Sequence, residues 1–96
     1  MYVLPAKQGF FVYTKKDCPY CVKVKDVVSN ATYGTSIPHQ YVDCQKYLDT
    51  NREHFIEFAR ELTQLTKITF PMVFLNGEFI GGCDDTINYL NFNSEF

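Results

Sequence analysis

A continuous apolar run, Phe10-Phe11-Val12-Tyr13, is followed after a short polar link by Cys18-Pro19-Tyr20-Cys21, and that tetrapeptide opens an amphipathic helical pattern. The stretch from Gly9 to Thr14 reads as a buried strand, because its apolar residues are consecutive rather than alternating. From Pro19 onward, apolar side chains at Tyr20, Val24, Val27, Val28 and Ala31 share one helical face, with Lys23, Asp26 and Asn30 on the other. The helix is expected to fade near Tyr33-Gly34, where glycine can supply a left-handed ending. Pro19 suits the first helical position, where its missing N–H costs nothing. Two thiols at this spacing on a first helical turn can close an intramolecular disulfide. Unpaired backbone N–H groups and the positive end of the helix dipole also favour a thiolate on the first sulfur. Thiol–disulfide exchange is the chemistry such a strand–CxxC–helix unit implies.

The rest of the chain supplies the partners of that unit. His39 to Asp43 reads as a short second strand. Thr50-Asn51-Arg52-Glu53 matches a capping box with Thr50 as cap. Phe55, Phe58, Ala59, Leu62 and Leu65 then mark the inner face of a second helix. Pro71 to Leu75, Asn76-Gly77, and Glu78 to Ile80 form a hairpin signal, since Asn-Gly adopts the positive φ values of a type I′ turn. Gly81-Gly82 should end the hairpin, and Asp84 or Asp85 should cap a last helix carrying Ile87 and Leu90. The order is β-α-β-α-β-β-α: an α/β, thioredoxin-like fold with a small four-stranded mixed sheet flanked by helices.

The 96 residues are 46% apolar and 17% aromatic, enough for one packed domain spanning 1–96 and unlike a disordered chain. A net charge of −2 argues against a nucleic-acid or membrane surface. No apolar run is long enough to cross a bilayer, and Tyr2-Val3-Leu4 lacks the flanks of a signal peptide. Such a chain has a core of its own and does not need its four cysteines as a secreted framework. A CxxC pair in this context points to a reducing, cytoplasmic compartment. A zinc site needs four ligands, whereas Cys44 and Cys83 are single and His39 and His54 stand at no finger spacing, so no metal is expected. Cys44 reads as a small semi-buried residue, Cys83 as a pocket-lining one, and the two histidines as surface residues.

Taken in order, CPYC after a strand, Thr69-Phe70-Pro71 before a strand and Gly81-Gly82-Cys83-Asp84-Asp85 after a hairpin resemble a dithiol glutaredoxin across essentially the whole chain. CPYC is that family's usual active site, whereas thioredoxins carry CGPC and iron–sulfur monothiol members CGFS. The resemblance implies a glutathione-dependent oxidoreductase in which Cys18 is the nucleophile and Cys21 the resolving thiol. It implies that Lys15 pairs with the glycine carboxylate of glutathione and that Tyr20 flanks the tripeptide. Thr69, Phe70 and Pro71 correspond to the segment whose residue before a cis-proline pairs its backbone with the cysteine part of glutathione. Cys83 and Asp84 stand where the γ-glutamyl carboxylate meets backbone N–H groups, and Asp84 or Asp85 would accept from its ammonium. Glutathione is the implied co-substrate. Disulfide-containing or glutathionylated proteins, ribonucleotide reductase among them, are the implied clients of a monomer.

Three positions depart from the family pattern: Asp17 replaces Ser or Thr, Phe70 replaces a smaller Val, and Thr66-Lys67-Ile68-Thr69 is one residue short and lacks its Gly. Asp17 opposes a thiolate at Cys18, while Lys15, Lys16 and the helix terminus favour it. Cys21, one turn inside the helix, should be less exposed and keep its proton until needed. Two alternatives compete: a module binding an iron–sulfur cluster with glutathione, which the proline of CPYC disfavours, and a reductase served by thioredoxin reductase rather than glutathione.

Overall fold

The computed structural model describes residues 2–93. The elements are β1 (Phe10–Thr14), α1 (Pro19–Thr32), β2 (His39–Asp43), α2 (Gln45–Thr63), β3 (Met72–Leu75), β4 (Glu78–Gly81) and α3 (Cys83–Phe92). Their order is the one the sequence predicts. In the sheet the strands run β2-β1-β3-β4. β1 pairs parallel with β2 and antiparallel with β3, and β3 pairs antiparallel with β4. β1 and β3 are buried throughout, and apolar apart from Thr14, because helices cover both faces of the sheet. On one face Phe10, Val12, Val73 and Leu75 pack with Val24 and Val28 of α1 and Cys83 of α3. On the other, Phe11, Tyr13, Met72 and Phe74 meet Leu48, Phe55 and Ala59 of α2.

Several element boundaries differ from expectation, each for a local reason. The buried stripe of α1 is Cys21, Val24, Val28 and Thr32, so Tyr20 faces outward and is 59% exposed. The helix ends in a type II turn rather than a left-handed cap. Tyr33 takes φ −58° and ψ 130°, Gly34 takes φ 76°, and the Thr35 N–H bonds to the Thr32 carbonyl at 3.0 Å. A positive φ at that turn position is why glycine stands there.

α2 begins earlier than predicted, at Gln45, and is interrupted at Asn51, whose φ −156° and ψ 87° are not helical. Thr50 is therefore not a cap. Its hydroxyl donates to the Lys46 carbonyl at 2.8 Å, inside the first segment. Asn51 caps the second segment instead, its side-chain oxygen accepting from the His54 N–H at 3.1 Å. At the other end Gln64 adopts a left-handed φ of 63°, leaving Leu65 outside the helix and 40% exposed. The hairpin turn has φ 53° at Asn76 and 85° at Gly77, the expected type I′ signature. β3 starts at Met72 rather than Pro71, and β4 extends to Gly81. No helix among the described residues is long and apolar enough to cross a membrane.

Candidate active site

β1 delivers the chain to an exposed corner, Lys15-Lys16-Asp17, that turns it into α1. Asp17 has φ 54°, a left-handed conformation that aspartate tolerates better than most residues. Cys18 follows as the N-cap of α1, with extended backbone and Pro19 at the helix start. Its Sγ accepts from the Cys21 N–H at 3.2 Å, taking the part a serine or aspartate oxygen plays at other helix starts. Cys18 and Cys21 are joined as a disulfide, with their Cα atoms 5.2 Å apart. Cys18 is 8% exposed and Cys21 only 2%, so the first cysteine is the more accessible residue of the pair.

The segment before β3 meets this corner from the other side. The Phe70–Pro71 peptide is cis, and the Phe70 carbonyl oxygen lies 3.8 Å from Cys18 Sγ. The half-buried Phe70 ring stacks on Phe55, with centroids 6.3 Å apart and planes 12° apart. Lys15 Nζ stands 5.9 Å from the Phe70 ring centroid.

Beside the disulfide corner opens a cleft of about 530 Å³. Tyr20, Thr69, Phe70, Pro71, Cys83, Asp84 and Asp85 all line it, so the structure brings these sequence-predicted positions together. Lys15 is the exception: it reaches the cleft's edge through Phe70 and is not part of the wall. Leu65, Phe79, Gly81 and Gly82 also line the cleft; the two glycines belong to the motif read from sequence but were given no binding role, and Leu65 and Phe79 were not assigned to a site. Phe79 was findable in principle, as the hairpin residue paired with buried Phe74. Leu65 was not, because helical spacing assigned it to the core.

The helix bordering the cleft starts differently from expectation. Gly82, not Asp84 or Asp85, is the N-cap of α3. Asp85 folds back so that its carboxylate accepts from the Gly82 N–H at 3.2 Å. A Cβ at Gly81 would overlap that carboxylate, and Gly81 also has φ 126°, so only glycine suits the position. Gly82 has no side chain to accept from the first-turn N–H groups. Those of Cys83 and Asp84, two residues that line the cleft, consequently have no helical partner and stand at the positive end of the dipole.

The remaining titratable groups separate by environment. Burial pushes the Cys83 thiol above its ordinary value; nearby Lys23 opposes that shift and Asp84 reinforces it. Cys44 is wholly buried against α2, deeper than the semi-buried position expected. Burial, helped by Asp43, pushes its thiol up to about 12 despite a hydrogen bond at Thr14. Both are held as thiols. His39 and His54 are exposed and away from the cleft, and His54 Nδ1 pairs with the Tyr2 hydroxyl at 2.7 Å. Among the described residues, no three His, Cys, Asp or Glu side chains gather as a metal site.

Comparison with known proteins places this geometry. The Glutaredoxin family model matches residues 10–80. Glutaredoxin 3 of Escherichia coli K12 is 32% identical over 74 residues, 77% of this chain and 76% of that protein. The structure of oxidized glutaredoxin 2 from Chlamydomonas reinhardtii is 28% identical and superposes with a TM-score of 0.69, covering 93% of this chain and 77% of that one. A buckwheat glutaredoxin–glutathione complex is 26% identical, with a TM-score of 0.64 over 90% of this chain and 71% of its own.

Proposed function

The chain belongs to the glutaredoxin family, and from that premise we propose that it is a glutathione-dependent thiol–disulfide oxidoreductase working through Cys18 and Cys21. The observation that carries this reading is the Cys18–Cys21 disulfide at the start of α1, with its first sulfur beside the Phe70 carbonyl at the cleft edge. Support for glutathione as the reductant comes from the related buckwheat complex and from the chemistry of the cleft.

In the reduced protein the Cys21 N–H, the α1 dipole, Lys15 and Lys16 favour a thiolate at Cys18, with Asp17 opposing them. That thiolate attacks the glutathionyl sulfur of a mixed disulfide, RS–SG. A Cys18–SG bond forms, the RS–SG bond breaks, and RS⁻ leaves with the bonding electrons and takes a proton. A second glutathione thiolate then attacks the bound glutathionyl sulfur, releasing glutathione disulfide and restoring the Cys18 thiolate. On the dithiol route Cys21 loses its proton and attacks Cys18 sulfur, expelling the leaving thiolate and closing the disulfide present in this structure. Two glutathiones reopen it, yielding one glutathione disulfide.

In this proposal the glutathione tripeptide lies along the cleft. The backbone of Phe70, two residues before β3 and outside its sheet register, pairs with the cysteine moiety. The free N–H groups of Cys83 and Asp84 take the γ-glutamyl carboxylate. Asp84 accepts from the ammonium, because the Asp85 carboxylate is already bonded to Gly82. Lys15 faces the glycine carboxylate, and Tyr20 walls the open side. The clients are glutathionylated or disulfide-bonded proteins in a reducing, cytoplasmic compartment. Turnover of a small glutathione mixed disulfide tests the scheme: Cys18→Ser should abolish it and Cys21→Ser should retain it. An active Cys18→Ser protein, or a Cys21→Ser protein as dead as Cys18→Ser, would reverse the assignments.

A further inference from the structure

Lys15 is the one proposed glutathione contact that does not line the cleft, and it sits on an exposed corner. A lysine side chain there has four rotatable carbons and a strongly hydrated head, so nothing local would keep it at the cleft edge. The Phe70 ring lies beside it, with its centroid 5.9 Å from the ammonium. That distance lies within the range where a ring face attracts a cation. The ring is itself held: Phe70 is half-buried and stacks on Phe55, which is fully buried in the α2-side core. A chain of contacts thus runs from a rigid core position through Phe70 to a charge that would otherwise swing freely.

We propose that the Phe70 side chain is a positioning residue, holding the Lys15 ammonium at the cleft edge so that it meets the carboxylate at the glycine end of the thiol substrate. This rests on the reading of Lys15 given above and adds a role for the ring, which the backbone contact of Phe70 does not require. A smaller aliphatic side chain at this position would keep the backbone contact and lose the cation platform. The preference for a tripeptide ending in a carboxylate, over the same thiol without that end, is therefore partly written into Phe70.

The test compares kcat/KM for glutathione with kcat/KM for glutathione amide, in which an uncharged carboxamide replaces the glycine carboxylate. Phe70→Leu should lower the glutathione to glutathione amide ratio by about three- to fivefold, the size expected of an exposed cation–ring contact. Phe70→Tyr, which keeps the ring, should restore it. Lys15→Met should lower the ratio at least as far, and adding Phe70→Leu should lower it no further. Purely structural damage in Phe70→Leu would slow both thiols alike and leave the ratio unmoved, and that result overturns the inference. A wild-type protein that turns over neither thiol would instead overturn the proposed function itself, and the two failures are distinguishable.

Discussion

Three sulfur environments in one small chain show how burial and backbone set the behaviour of a single residue type. Cys18 stands at a helix N-terminus with an N–H donor at 3.2 Å, Cys83 lines the cleft as a buried thiol, and Cys44 has no exposed surface. Cys44 has a consequence for stability, because its thiol is pushed from 9.0 to about 12 in the folded chain. Below 9 both folded and unfolded states keep the proton, and the group has no pH effect. Between 9 and about 12 the unfolded state releases a proton that the folded state retains, so stability falls as pH rises. One such group can contribute a slope of up to about 1.4 kcal/mol per pH unit. The Tyr13 hydroxyl, pushed upward mainly by burial, acts in the same direction at higher pH. Denaturant melts between pH 8 and 11 should show Cys44→Ala losing stability less steeply than the parent, although it starts lower because of the cavity. Parallel slopes in the two proteins would contradict the assignment.

At the scale of elements, the informative case is α2. Its sequence carries a cap signal one residue away from where the cap forms. Thr50 and Asn51 are both good capping residues, and pattern alone favoured Thr50 because Glu53 completes a box. The chain instead runs a short helix from Gln45, started by the Asp43 side chain accepting from the Gln45 N–H at 2.9 Å. Leu48 is buried from that first segment, which accounts for the early start. The helix then breaks at Asn51 and restarts with Phe55 and Ala59 turned inward. Asn51→Ala should therefore cost about 1 kcal/mol, within the usual range of a lost N-cap. Thr50→Ala should be near neutral, since it gives up only a bond to the Lys46 carbonyl within the helix. Urea unfolding of the two variants decides between the caps, and a larger loss at Thr50 would restore the sequence-based reading.

For the whole molecule, two apolar clusters sandwich the sheet, and each also shapes the active corner. Val24 and Val28 anchor α1, which presents Cys18, while Phe55 supports the Phe70 ring. Phe55 is fully buried and also packs against the rings of Tyr2, Tyr47 and Phe58. Phe55→Ala should cost about 3–5 kcal/mol, comparable with the full stability of many small domains. Phe92→Ala, at a side chain 89% exposed, should stay within about 0.5 kcal/mol. Calorimetric melts of both provide the check, and a Phe55→Ala protein melting with the parent would mean that the α2 side of the sheet contributes little.

Local pattern was sufficient where one physical signal had no competitor. The buried runs of β1 and β3, the Asn-Gly hairpin, the Pro19 start of α1 and the thiol pair all follow from residues adjacent in sequence, and all appear as expected. The start of α2, the Gly82 cap and the place of Leu65 were decided by tertiary structure. In each case near-equal local options were separated by what had to be buried or where a neighbouring carboxylate had to fold. The cleft is of the same kind: its walls come from the start of α1, the loop after α2, the hairpin and the start of α3. No stretch of sequence contains their spacing, because packing across the sheet creates it.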